Sequence, residues 1–209
     1  MLNLNMHPFV DKYLQSLNTK DLPADRQAVL KPLADYVARK IQEGELVRLT
    51  FICTHNSRRS HLGQLWAAVA AHYCGITPVE CYSGGTETTA CNPRTVAAME
   101  RSGVRAQRIT AGENPVYLLG YADGVNPLVA FSKVYDQAPN PQTGFAAVMT
   151  CSHAEENCPF IPGAEKRFSI TYEDPKAFDG TPQEAEAYDA RCRQIATEML
   201  WVFQQVQLP

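Results

Sequence analysis

Residues 53–60 read C-T-H-N-S-R-R-S: a cysteine, five intervening residues, an arginine and a hydroxyl, directly after an apolar run. That spacing lets one nucleophilic sulfur, on Cys53, sit inside a ring of backbone N–H groups while Arg59 folds over the same cavity. A ring of this kind binds a tetrahedral oxyanion. The helix expected from Ser60 onward adds its positive end to the same point. The same donors stabilise a thiolate, the reactive form of the sulfur. Arg59 has the planar fork needed to hold two equatorial oxygens as charge builds during attack. Thr54, His55, Ser57 and Arg58 complete the loop, and Arg58 adds a second positive charge. Asn56 is expected to brace the loop by bonding its backbone, and Ser60 to donate to the sulfur. The spacing alone recurs by chance in unrelated chains, and a buried cysteine beside a basic helix start is the plain alternative. The strand before it and the helix after it are what give it weight.

A second group lies at residues 151–159, C-S-H-A-E-E-N-C-P. Its residue types allow three chemistries. Cys151, His153 and Cys158 are possible zinc ligands, although a closed structural site needs four and no fourth stands nearby. Cys151 and Cys158 can also be unreactive core thiols, or a redox pair. A third group is Tyr172-Glu173-Asp174-Pro175, where an Asp-Pro turn is by itself a common loop element.

The elements that must position these groups follow from hydrophobic period and capping signals. Residues 46–52 (L-V-R-L-T-F-I) are short, β-branched and apolar, as a buried strand requires. A helix is expected from Ser60, with Leu62, Leu65, Trp66, Val69 and Tyr73 at helical spacing and Gly75 as its stop. Residues 79–83 read as a second strand. Asn92-Pro93 then starts a helix that Gly103 ends. Residues 145–150 and 167–171 read as further strands, and Thr181-Pro182-Gln183-Glu184 as a capping box. That box opens a long helix striped by Tyr188, Ile195, Met199 and Val202. This alternation of strand and helix predicts an α/β fold with a parallel sheet and helices on both faces.

Residues 1–45 read as a helical extension of two helices broken around residues 18–23, the second striped by Val29, Leu33, Val37 and Ile41. Residues 46–209 then form the oxyanion-binding domain. Within it, residues 110–144 are rich in Pro and Gly and read as an insertion carrying one β-hairpin.

Composition narrows the function class. A chain of 209 residues with 45% apolar content can bury a substantial core. A net charge of −3 gives no electrostatic case for nucleic acid. No basic-then-apolar leader opens the sequence, and no apolar run is long enough to span a bilayer. Seven cysteines without an export signal argue against a disulfide framework. A soluble cytoplasmic protein is expected, with Cys74 and Cys192 as packing residues and no assigned role for Cys81 and Cys91.

The segment F-I-C-T-H-N-S-R-R-S resembles the active-site loop of the low-molecular-weight tyrosine phosphatase fold, shared by phosphatases and thioredoxin-coupled arsenate reductases. The resemblance covers residues 47–103 and resumes at Phe145. It takes in Y-S-G-G-T-E at residues 82–87 and Asn92-Pro93, and leaves out the extension and the insertion. It implies a three-layer sandwich around a central four-stranded parallel sheet. The cysteine pair resembles that of the reductases. It implies that Cys53 attacks arsenate, that Arg59 and the loop hold the oxyanion, and that Asp174 protonates the departing oxygen. Cys151 then attacks the Cys53 sulfur and expels arsenite, and Cys158 attacks Cys151 and passes the disulfide to a thioredoxin-like protein. No organic cofactor is implied.

The chain departs from the family's pattern at several positions. His55 and Arg58 stand where better-known reductases have smaller or neutral residues. Some members bind potassium through a glutamate, and Gln64 stands at that position here, so a potassium site is not carried over. Phosphatases of this fold place aromatic residues directly after the proline, whereas Lys176 and Ala177 follow Pro175. The alternatives are a tyrosine phosphatase using Cys53, Arg59 and Asp174 alone, and a non-catalytic oxyanion-binding or redox-sensing module.

Overall fold

A computed structural model describes residues 5–157 and 160–207. Its centre is a four-stranded sheet in the order β2-β1-β6-β7, built from β1 (Val47–Cys53), β2 (Val79–Gly85), β6 (Phe145–Met149) and β7 (Ala164–Ser169). Every pairing within it is parallel. β1 lies inside the sheet and is apolar on both faces, so nearly all of it is buried. One face, presenting Val47, Leu49, Phe51, Ala146, Val148 and Phe168, packs into the main core. Helices α2 (Ala24–Gln42), α3 (Arg59–Tyr73) and α6 (Glu184–Gln204) contribute much of that core, and α4 (Pro93–Arg101) packs on α6 and adds Val96, Ala98 and Met99. The other face, with Ile52, Phe145, Ala147 and Met149, is covered by Ala154 of the short helix α5 (Ser152–Asn157) and by Ile161 and Tyr135. The fold is therefore α/β, a four-stranded parallel sheet flanked by helices.

Helix α3 is buried almost all round because it lies between the sheet and α6. Asn92 caps α4 as its sequence signals, its side chain accepting from the Arg94 N–H at 2.9 Å. Residues 1–45 contribute α1 (Pro8–Gln15), a tight turn at Thr19–Asp21 and α2. Helix α2 is tied to the body by Tyr36 and Lys40, both bonded to Glu165 of β7 at 2.8 Å and 3.0 Å. Among the described residues no helix is long and apolar enough to cross a membrane.

Three details differ from the reading of the sequence. The insertion holds one antiparallel pair, β4 (Tyr117–Gly120) with β5 (Leu128–Ala130), but β3 (Arg105–Arg108), which precedes it, joins β4 to make a separate three-stranded sheet. β3 reads R-A-Q-R and is largely exposed, so it carries no apolar signal of its own and becomes a strand by pairing with β4. The capping box at α6 does not form. The Thr181 hydroxyl donates to Phe178 O at 2.8 Å, and Glu184 turns to the Gly180 N–H and Arg94. Val29 faces outward, and Leu30 takes its place beside Leu33, Val37 and Ile41. The buried stripe is centred one residue later than a strict four-residue repeat suggests.

Candidate active site

Cys53 ends β1 in the middle of the sheet, and the chain then turns through residues 54–58 into α3. The loop's carbonyls are held from outside. Cys53 O accepts from Thr86 N at 3.1 Å, and Thr54 O from Glu87 N at 2.8 Å. His55 O accepts from the hydroxyls of Ser132 and Thr89 at 2.8 and 3.1 Å, and Ser57 O from Asn92 N at 2.9 Å. A trans peptide carries its C=O and N–H on opposite sides. Anchoring these carbonyls outward therefore turns the N–H groups of Thr54, His55, Asn56 and Arg58 toward the loop's concave side.

Space for this turn depends on Gly85. A β-carbon there would lie 2.5 Å from Glu87 O and 2.7 Å from both Asn56 N and Thr54 O, all of them backbone atoms. Gly85→Ala is expected to destabilise the fold by about 2 kcal/mol and to weaken phosphate binding. Urea unfolding and calorimetric titration with phosphate check this, and an unchanged protein refutes the close approach.

Inside the loop, Cys53 Sγ and Ser60 Oγ lie 3.1 Å apart, and the Asn56 side-chain amide donates to the same hydroxyl at 2.9 Å. Asn56 has a positive φ of 44°, a conformation that asparagine tolerates. Its side-chain oxygen accepts from the backbone N–H of Lys133 at 3.0 Å. Asn56 thus ties the loop to the insertion rather than to its own backbone. His55 points outward with Nε2 3.5 Å from Glu87, and so does not crowd the cavity. Arg58 is bound away from the loop, donating to Tyr188 OH at 2.7 Å, with Asp179 at 3.4 Å. A cavity of about 300 Å³ opens beside the loop, lined by His55, Ser57, Arg58, Thr89, Asn92 and Lys176.

Arg59 and Asp174 meet. Arg59 Nη2 donates to Asp174 Oδ2 at 2.7 Å and Nη1 to Tyr172 O at 2.9 Å. Arg59 Nε is buried with no acceptor in reach among the described residues. The other Asp174 oxygen accepts from Lys176 N at 3.1 Å, opening the short turn Pro175–Phe178. Cys151, just beyond β6, lies in the same small buried cluster as Cys53. Its sulfur is 3.5 Å from the hydroxyl of Thr54 and accepts from Ala154 N at 3.4 Å. His153 Nδ1 reaches the same Thr54 hydroxyl at 3.3 Å. Cys158 lies outside the described residues. Among the described residues no cluster of His, Cys, Asp or Glu could hold a metal ion. The Gln64 amide is committed to Ser83 Oγ at 2.7 Å and Cys81 O at 3.2 Å.

Two participants carry no signal in the sequence. Ser132 and Lys133, in the insertion, hold the loop across 77 residues of chain. Beneath it His61 is fully buried with Nδ1 3.1 Å from Ser83 Oγ. Its pKa is pushed down to about 3, first by burial and then by the charge of Lys133. It is neutral at physiological pH.

No family model matches the chain. Proteins named arsenate reductase from Halalkalibacterium halodurans and Bacillus subtilis are each 29% identical over 143 residues, covering 68% of this chain and 84% of the relative. A low-molecular-weight phosphotyrosine phosphatase from Vibrio cholerae O395 superposes with a TM-score of 0.50 at 12% identity, over 76% of this chain and 95% of that one. The chain therefore has the low-molecular-weight phosphotyrosine phosphatase fold and is related in sequence to proteins named arsenate reductase.

Proposed function

We propose that the protein is an arsenate reductase in which Cys53, Cys151 and Cys158 act in turn, with a thioredoxin-like dithiol as final reductant. The observation that carries the reading is the placement of Cys151 beside the loop, its sulfur 3.5 Å from the hydroxyl of the residue after Cys53. A phosphatase has no use for a thiol there. The cavity beside the loop presents polar groups suited to a small oxyanion, among them His55, Thr89, Asn92 and Lys176.

In this reading the Cys53 thiolate attacks arsenic as an S–As bond forms and an As–O bond breaks. Asp174 gives its proton to the departing oxygen, which leaves as water. The loop N–H groups and Arg59, through its free Nε, hold the remaining oxygens. The Cys151 thiolate then attacks the Cys53 sulfur. The S–As bonding pair stays on arsenic, which falls from As(V) to As(III) and leaves as arsenite, and a Cys53–Cys151 disulfide remains. Cys158 attacks Cys151 and frees Cys53, and an external dithiol reduces the Cys151–Cys158 disulfide.

The test separates reduction from hydrolysis. Cys151→Ser and Cys158→Ser should each lower thioredoxin-dependent arsenate turnover by roughly 10³-fold or more while sparing hydrolysis of an aryl phosphate. An unmodified protein that hydrolyses aryl phosphates briskly and leaves arsenate untouched would be a phosphatase, and the reading would fall.

A further inference from the structure

The N-terminal extension reaches the acid loop through Arg26. Arg26, in the first turn of α2, is held by Glu198 of α6 in a two-pronged pair, Nε to Oε1 at 2.8 Å and Nη2 to Oε2 at 2.7 Å. Glu198 is 1% exposed and also accepts from Gln194 Nε2 at 3.0 Å, so the carboxylate that aims Arg26 is itself fixed. The guanidinium carbon lies 4.9 Å from the centroid of the Tyr172 ring. That is a cation–π contact, and a guanidinium plane also limits how the ring can tilt.

Tyr172 is the residue through which Arg26 can reach the chemistry. Its ring is buried, and its hydroxyl lies in the field of the Arg26–Glu198 pair without a hydrogen bond of normal geometry. The ring is thus held by packing, by the Arg26 face and by the Arg26–Glu198 pair near its hydroxyl. Its backbone N–H donates to Thr150 O at 3.1 Å, which ties it to the end of β6 one residue before Cys151. Its carbonyl accepts from Arg59 Nη1, and Arg59 Nη2 bonds Asp174 two residues on. Ring and carbonyl belong to one residue, so the packing that seats the ring also restrains the backbone that carries the carbonyl orienting Arg59, and with it the geometry of Arg59 against Asp174.

We propose that Arg26 is a positioning residue for the acid loop: the extension's guanidinium, clamped by Glu198, sets Tyr172, and Tyr172 sets Arg59 and Asp174. The proposal rests on the reading of Asp174 as the proton donor. Arg26 meets no reacting atom: it acts on Asp174 through the two Arg59 Nη groups, and the Arg59 Nε assigned to the oxyanion is not among the atoms that Tyr172 and Asp174 hold.

Arg26→Met alone leaves Glu198 buried without its partner, a loss that can unfold a chain. The double variant Arg26→Met/Glu198→Leu removes both charges together, and Arg26→Lys keeps the charge for Glu198 while losing the planar face. The readout is kcat/KM across aryl phosphates of decreasing leaving-group acidity. An ill-placed acid hurts only esters whose leaving oxygen needs a proton. The double variant is expected to stay within about twofold of wild type on 2,4-dinitrophenyl phosphate and to fall about tenfold on phenyl phosphate. Arg26→Lys should lie between them. With arsenate, whose leaving group is always water, the same defect reads as an about tenfold lower kcat at unchanged KM.

Asp174→Asn is the control and should show the same leaving-group trend more steeply. If Asp174→Asn shows the trend and the Arg26 variants slow all esters equally, Arg26 is merely structural and the proposal fails alone. If Asp174→Asn shows no trend, the acid assignment fails and takes this inference with it. A wild-type chain that turns over neither substrate overturns both.

Discussion

Cys53→Ser will lower arsenate turnover by at least about 10⁴-fold while the loop still binds phosphate. Serine keeps the shape of the side chain, so its contact with Ser60 and, through that hydroxyl, with Asn56 can persist. The carbonyls that shape the loop are anchored by Thr86, Glu87, Thr89, Asn92 and Ser132, none of which the substitution touches. What disappears is the sulfur: an alcohol is a far weaker nucleophile and leaves no S–As bond for Cys151 to break. Steady-state turnover together with calorimetric phosphate binding checks both halves. A variant that retains turnover within tenfold of wild type would place the nucleophile elsewhere. One that loses phosphate binding as well would make Cys53 a structural member of the loop.

Lys133→Met should stabilise the protein at pH 7 by on the order of 3 kcal/mol. Lys133 is 2% exposed, and no ion pair involves it among the described residues. Among the described residues its ammonium donates to Phe131 O at 3.4 Å and lies 4.7 Å from the Phe131 ring. Burial pushes its pKa down from 10.5 to about 8. The sign follows from proton counting. Between pH 8 and about 10.5 the unfolded chain binds more protons than the folded one, so this group makes stability rise with pH across that window. Below pH 8 the full cost of the buried charge is present. Methionine has similar length and no charge, and the backbone N–H that bonds Asn56 is untouched. The gain should therefore be largest at pH 7 and vanish near pH 10.5. Urea unfolding of both proteins at pH 7 and pH 10 measures it, and a variant destabilised equally at both values would refute it.

Lys133 and Arg26 also mark where reading the sequence stops. The loop at residues 53–60 is legible because its signals are local: a β-branched run, then a cysteine and an arginine at fixed spacing, then an apolar helix period. The Asn92-Pro93 helix start is legible for the same reason, since the cap and the N–H it satisfies are two residues apart. The long helix is legible from the period of Tyr188, Ile195, Met199 and Val202, all of them buried. Its start is not legible, because the Thr181 hydroxyl is engaged in donating to Phe178 O and Glu184 accepts from the Gly180 N–H instead of closing the box. β3 was missed because R-A-Q-R is a strand only in the company of β4.

The local chain thus determined by itself which residues could carry the chemistry and on which elements they stand. Tertiary structure decided which distant groups hold them: Ser132 and Lys133 on the loop across 77 residues, Cys151 beside Thr54 across 97, and Arg26 against Glu198 across 172. The reason is physical. Helix and strand periods arise from forces between neighbours a few residues apart and leave a pattern in the sequence. A hydrogen bond or guanidinium contact between remote segments depends on how whole elements pack, and a single serine, lysine or arginine carries no mark of the partner it will meet.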